Sequence, residues 1–333
     1  MDLDEEWELF LSGNSSTDVV SEIKGDAPPP TDLYISTNTV ISFLNQPVHL
    51  LDSFWEIPII PYSSYEEGVI KKQMKFISQT QEELDRIQAL QNTYDYSHNK
   101  IVQHIENKAG RIKYKDVRIV TIGISQKDVM SFRVKSKGAF YNCFALVMRI
   151  CIPDSTPTFK EFHVKIFNTG KIEIPGIQNV NHIPYIIEVL LSILKKRYPD
   201  IVYNKCCEET VLINSNFNCN YYIDRYKLYS ILKQQYKISA VYDPCSYPGI
   251  QCKIYYDTTQ VVTTIQPIEV SFMIFRTGSV LIVGKSTENI IRDIYTFLSS
   301  ILIKEYPNIV NNNCNHNKKN TLSRKSKVFI LLS

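Results

Sequence analysis

Apolar and polar positions alternate with period two in several short stretches of the chain and recur at helical intervals in several longer ones. Tyr34 to Leu44 are rich in β-branched and aromatic side chains and predict a strand. Leu50 to Ile57 predict a short helix, stopped by Pro58. Thr80 and Glu83 have capping-box spacing, and Leu84, Ile87 and Leu90 follow at helical intervals, which predicts a helix over about 80–92. Val117 to Ile124 predict a strand, and the rest of 63–136 has no readable period. Beyond Phe140 the pattern sharpens. Strands are predicted at Cys143–Ile152, Phe162–Phe167 and Lys171–Ile174, the last two joined by a Thr169-Gly170 turn, then an amphipathic helix over Ile183–Arg197. The series then restarts: a strand over Thr210–Asn218, a helix over Asp224–Tyr236 with Asp224 as its N-cap, four strands near 237–242, 250–256, 268–276 and 279–283, and a last helix near 287–305.

The restart is a repeat. Ile166-Phe167 and Thr169-Gly170 recur as Ile274-Phe275 and Thr277-Gly278; Ile174 and Gly176 recur as Ile282 and Gly284; Tyr198-Pro199 and Ile201-Val202 recur as Tyr306-Pro307 and Ile309-Val310. All are separated by one offset of about 108 residues, and a constant offset through strand, turn, strand and helix exit implies a duplicated unit. The reading is therefore α+β, with an acidic arm and Pro-rich linker over 1–31, a first repeat over 32–202 with an insertion at about 63–136, a second repeat over 203–310, and a basic tail over 311–333.

Charge separates the ends from the body. The first thirty residues hold eight acids against Lys24, closed off by Pro28-Pro29-Pro30, whereas Lys318, Lys319, Arg324, Lys325 and Lys327 leave the tail at +5. Oppositely charged ends imply contacts apart from the mildly basic body. No apolar run reaches the roughly 18 to 20 residues of a membrane-spanning helix, and the acidic start is unlike a secretory signal, so the chain is expected to be intracellular. Its eight cysteines include no CxxC pair; Cys206-Cys207 and Cys314 with His316 give two ligands each, short of a metal site.

The second copy, from Tyr242-Asp243-Pro244 through Tyr247 and Gly249, then Ser271 to Gly278 and Val280 to Gly284, resembles the second repeat of TATA-box-binding proteins. Phe144 to Ile150, ending Met148-Arg149-Ile150, and the Ile166–Gly176 hairpin resemble the first. Ile213-Asn214-Ser215-Asn216-Phe217 is closest to the divergent members in large nucleocytoplasmic DNA viruses. The resemblance covers about 137–310 well, 32–60 weakly, and neither the insertion nor the arms.

This resemblance implies a saddle: two αβ repeats forming a curved antiparallel sheet, helices on the convex face, double-stranded AT-rich DNA in the minor groove on the concave one. Members of this family bind the minor groove and unstack base steps with apolar wedges. The wedges would be Phe167 and Phe275, with Tyr247 and Phe140, Phe144 being the alternative to Phe140. Asn38 and Asn216, or Asn214 in place of Asn216, would meet the acceptors of A·T pairs. Arg149, Lys171 and Lys253 would contact phosphates. Asp243-Pro244 matches the acidic surface offered to a TFIIB-like initiation factor, RNA polymerase subunits being other expected partners, and Trp7 sits in an acidic-apolar segment of the kind that binds partners. No cofactor or small-molecule substrate is implied. Localisation would be the nucleus or a cytoplasmic viral factory, with packaging in the virion an extension of the latter.

Three departures stand against tight TATA recognition. Pro175 and Val283 replace paired groove-facing threonines, and Glu173 places a carboxylate where the family has an apolar contact. A second reading keeps the saddle as a protein-interaction scaffold with weak DNA contact. No nucleophile motif, P-loop or dinucleotide glycine pattern supports an enzyme.

Overall fold

Val40, Ser42 and Leu44 are buried in strand β1 (Tyr34–Leu44) while Ile41 and Phe43 between them are not, so one face of the strand meets a core and the other does not. The same alternation runs through the computed structural model, which describes residues 25–107, 109–130, 138–153, 158–256 and 267–311. Eleven further strands are described: β2 (Gly68–Ser78), β3 (Ser97–Glu106), β4 (Tyr114–Gly123), β5 (Cys143–Ile152), β6 (Thr158–Phe167), β7 (Lys171–Ile177), β8 (Tyr203–Asn218), β9 (Ser239–Val241), β10 (Ile250–Tyr256), β11 (Ile268–Ile274) and β12 (Ser279–Gly284). Together they form one antiparallel sheet in the order β3-β4-β2-β5-β6-β7-β1-β8-β12-β11-β10-β9.

The helices are α1 (Leu50–Glu56), α2 (Gln81–Gln91), α3 (Gln126–Met130), α4 (Ile183–Leu194), α5 (Arg225–Gln234), α6 (Glu288–Lys304) and α7 (Tyr306–Ile309). Their starts follow local chemistry. Thr80 accepts from the Glu83 amide while the Glu83 carboxylate accepts from the Gln79 amide, and Asp224 accepts from the Tyr226 and Lys227 amides. None among the described residues is long and apolar enough to cross a membrane.

Apolar residues of α1 and α4 meet β1, β2, β5, β6 and β7 in one hydrophobic cluster, and those of α5 and α6 meet β8, β10, β11 and β12 in a second. The two cores flank the β1–β8 seam. The turns between β6 and β7 and between β11 and β12 end in Gly170 and Gly278, each at φ +82° with the site of a Cβ 2.4 Å from a carbonyl oxygen, of Gln46 and of Tyr221 respectively. Only glycine fits either place.

Several boundaries differ from the sequence expectation. The stretch 63–136, in which the sequence predicts one strand at Val117–Ile124, adds β2, β3 and β4 to the sheet. Strand β6 begins at Thr158, β8 begins seven residues before Thr210, and α4 ends at Leu194, three residues short of Arg197. Charged groups are buried in the added part. Lys72 on β2 points into the first core, where its ammonium reaches the Ile57 carbonyl at 2.7 Å and Tyr94 Oη at 3.1 Å, over the rings of Phe54 and Tyr94. Asp116 on β4 binds Arg118 at 2.6 and 2.9 Å and His104 on β3 at 2.9 Å.

Candidate nucleic-acid interface

Because α1, α4, α5 and α6 draw the buried set of each strand to one face, the other set lines an open face. At its centre the register fixes the neighbours. Thr37 lies opposite Asn214, Tyr34 opposite Asn216, and Asn216 and Asn214 lie opposite Leu281 and Val283 on β12. The Asn214 amide donates to Thr37 Oγ1 at 3.1 Å. These side chains are half-buried or exposed, whereas Ile213, Ser215 and Phe217, which alternate with the asparagines, are buried.

Asn38 does not join them. An irregularity between Ile35 and Thr37 shifts the pairing, so Asn38 falls opposite Ile177 and Ile213, both core residues. Thr37 takes the open-face place that the resemblance assigned to Asn38. Asn216 and Asn214 are both on the open face.

Phe167 and Phe275 follow the buried Ile166 and Ile274 and so turn to the open face, each half-buried. Lys171 Nζ lies 5.3 Å from the centre of the Phe167 ring. The Phe275 ring lies 5.9 Å from that of Tyr247, whose hydroxyl donates to Met273 Sδ at 3.6 Å. Gly249 makes room for both: a Cβ there would sit 3.0 Å from Phe275 Cε1 and 3.1 Å from Tyr247 Cε1. Replacing Gly249 by alanine is expected to lower stability by about 1 kcal/mol through overpacking and to change tyrosine emission, as chemical denaturation followed by fluorescence would show. Phe140 is 64% exposed, while its alternative Phe144 is wholly buried against Phe54. Sequence reasoning missed two further aromatics on this face, Phe43 opposite Lys171 and Tyr34 opposite Asn216, since neither matches a family motif.

The three cations differ in availability. Arg149 is nearly buried, its guanidinium donating to the carbonyls of Tyr62 (2.8 Å) and Ser64 and stacked on the Tyr62 ring. It holds the 62–64 loop through these bonds. Lys253 forms an exposed pair with Glu269 at 2.8 Å, which raises the lysine and lowers the carboxylate from their ordinary pKa ranges. Lys171 is half-buried. Glu173 pairs with Lys165 at 2.6 Å on the neighbouring strand, so its charge is locally compensated.

Asp243 and Pro244 lie exposed in the loop before β10. The Asp243 carboxylate accepts from Ser246 Oγ and from the Cys245 amide, in that order of effect, and both hold it below the usual carboxylate range. Trp7 lies outside the described residues, as do Cys314 and His316. Cys206 and Cys207 are exposed, with the Asn204 amide 3.1 Å from Cys207 Sγ, and among the described residues no three metal-ligating side chains come together.

No family model matches the chain. It is 23% identical over 205 residues to a protein of Acanthamoeba polyphaga mimivirus described as TATA-box-binding protein-like, over 56% of this chain and 54% of that protein. The chain thus matches about half the length of that relative. Among solved structures, Methanococcus jannaschii TBP superposes with a TM-score of 0.41 at 13% identity, over 83% of this chain and 99% of the other. The mimivirus match bears out the resemblance to TATA-box-binding proteins, and to a viral member of that group, read from the repeat segments.

Proposed function

We propose that the chain is a TATA-box-binding-protein-like transcription initiation factor that lays its open face on the minor groove of AT-rich promoter DNA. One observation carries the reading: Phe167 and Phe275, 108 residues apart, follow the buried isoleucines of their strands onto the face opposite the two cores, each just before a glycine turn at φ +82°. Paired aromatics at equivalent places suit a protein that unstacks two base steps, each step costing a few kcal/mol and offset by the surface that bent DNA contacts. Thr37, Asn214 and Asn216 supply groups able to meet the acceptors of A·T pairs.

In this reading residues 32–202 and 203–310 are two copies of one unit, joined at the β1–β8 seam into a saddle. The strand order supports it. Outward from the seam it reads β7, β6, β5, β2 on one side and β12, β11, β10, β9 on the other. Strand β2 then belongs to the repeat, and the material peculiar to the first copy lies between β2 and β5. Asp243-Pro244 would face a TFIIB-like factor or polymerase subunits, and Trp7 a further partner. The site of action would be wherever the template is transcribed, nucleus or viral factory.

The engagement of Arg149 with a loop and the pairing of Lys253 with Glu269 favour the second reading, a scaffold within a transcription complex that contacts DNA weakly. Binding to an AT-rich and a GC-rich duplex at two salt concentrations separates them. Preference for the AT-rich duplex, lost by on the order of a hundredfold (about 3 kcal/mol) in the Phe167→Ala, Phe275→Ala double variant, is expected. Binding that ignores sequence and the double substitution would leave the scaffold.

A further inference from the structure

The three strands that extend the sheet past β5 divide their charges between its two faces. Met74, Phe76, Val120 and Ile122 belong to the first core. Helix α2 packs on that side, where the Asn99 amide donates to Gln91 Oε1 at 3.2 Å and Tyr114 Oη to Gln81 Oε1 at 3.0 Å. The acids of the strands share it: Asp116 lies opposite His104, and Glu106 opposite Tyr114. The alternate positions turn to the open face. There β2, β3 and β4 place Lys71, Lys75, Lys100 and Lys115, and no acid of their own. Lys71 is taken by Asp128 of α3 at 2.7 Å. Lys100 is exposed, and no ion pair engages Lys75 or Lys115 among the described residues.

The register sets these cations in line with Phe167. Phe167 lies opposite Cys143 on β5, and one step beyond Met74 opposite Phe144 brings Lys75 beside Cys143. Lys75 and Lys100 both lie opposite Ile119, one from each side. A single transverse row therefore runs Phe167, Cys143, Lys75, Ile119, Lys100. At about 4.8 Å per strand, Lys75 stands roughly 10 Å and Lys100 roughly 19 Å from Phe167. Lys115 is four residues from Ile119 along β4, roughly 14 Å, and Lys71 with α3 lies on the other side of the row. A duplex advances about 3.4 Å per base pair, so the row from Phe167 outward corresponds to roughly five or six base pairs. A sheet face that carries cations only, on strands whose acids all lie on the other face, is complementary to a polyanion.

We propose that Lys75, Lys100 and Lys115 form a sequence-blind phosphate-binding surface that receives the flank of a DNA duplex beyond Phe167. The contact is to the sugar-phosphate backbone and releases counterions. It lengthens the footprint on the first-repeat side alone, since strands equivalent to β3 and β4 are absent beyond β9 among the described residues. The inference rests on the reading that duplex DNA lies on the open face.

The test measures the full chain on an AT-rich and a GC-rich duplex at two salt concentrations. Lys75→Gln, Lys100→Gln and Lys115→Gln together are expected to weaken binding to both duplexes by the same factor, on the order of tenfold at low salt, and to lower the salt slope by about three. A control set on the helix side, Lys195→Gln, Lys196→Gln and Lys304→Gln, should change neither. Lengthening the duplex by about six base pairs at each end should strengthen binding by the unaltered chain and leave the glutamine set unchanged. Lys75→Arg, Lys100→Arg and Lys115→Arg together keep the charge and should keep affinity and slope. A glutamine set that behaves like the control, an arginine set that loses binding as the glutamine set does, or a loss confined to the AT-rich duplex would overturn the proposal. If AT preference and its dependence on Phe167 and Phe275 survive such a result, the open-face reading stands without this extension. An equal loss on both duplexes in a chain that shows no AT preference keeps the phosphate surface and removes that reading.

Discussion

Lys72→Met is expected to abolish a rise in folding stability of about 5 kcal/mol that the unaltered protein shows between pH 7 and about 10. Burial among Phe54, Tyr94 and the end of α1 lowers the Lys72 pKa to about 7, whereas an exposed lysine in the unfolded chain titrates near 10.4. Each unit of difference corresponds to about 1.4 kcal/mol. Between the two values the unfolded chain binds the proton that the folded chain has released, so stability climbs with pH. Below pH 7 both states are charged, and the fold bears the whole penalty of an ammonium held by two carbonyls and a phenol, with no carboxylate paired to it among the described residues. Methionine fills a similar volume and cannot titrate. Urea unfolding of both proteins across pH 6 to 10 gives the answer as a difference of slopes. Parallel profiles would mean that the ammonium finds water.

Asp116→Ala is expected to destabilise the fold by about 3 kcal/mol, more than Gln103→Ala on the neighbouring edge strand, which should change stability by less than about 0.5 kcal/mol. The carboxylate is fully buried and holds Arg118 Nε and Nη2 and His104 Nδ1; without it the Arg118 guanidinium, 5% exposed, keeps its charge and loses its counterion. The figure belongs at the lower end for a broken buried pair because His104 is 42% exposed and lets water approach from β3. The hydrogen bonds from Arg118 first, then from His104, hold the Asp116 carboxyl below its usual range against the desolvation that raises it. Its folded pKa being the lower one, the contribution is complete above the unfolded value near 3.9 and is lost as pH falls below it. Double-variant measurement with Arg118→Met checks the pairing, since removing both charges should recover much of the loss.

The parts of the fold that could be read in advance are those where one chemical signal decides the outcome. Thr80 with Glu83 and Asp224 state their helix starts outright, and Phe144, Leu146, Met148 and Ile150 state both the period and the buried face of β5. Strand β2 was hidden by Lys72, a polar letter at a core position between Ile70 and Met74. Strand β3 was hidden because almost none of its residues is buried, so its ladder with β4 is its whole reason for being a strand. Of the open-face aromatics, Phe167 and Phe275 were legible through their 108-residue offset, whereas Phe43 and Tyr34 carry no such signal. The surroundings of Asn38 and Arg149 are set from outside their own neighbourhoods: an irregular residue in β1 exchanges the faces of Thr37 and Asn38, and Arg149 is claimed by carbonyls more than eighty residues away.

The position of β1 also sets a timetable. It leaves the ribosome before the other described strands, yet its partners are β7 and β8, so Phe43 must wait for Lys171 and Leu44 for Tyr203. At roughly 5 to 20 residues per second the delay is on the order of ten seconds. Through that interval a strand with Val40 and Leu44 on one side and unpaired amides on both edges stands open to wrong partners. The acidic segment made just before it gives the nascent chain its like-charge repulsion during the same seconds, so neutralising the arm should lower the yield of protein at synthesis even where it leaves the finished fold unchanged.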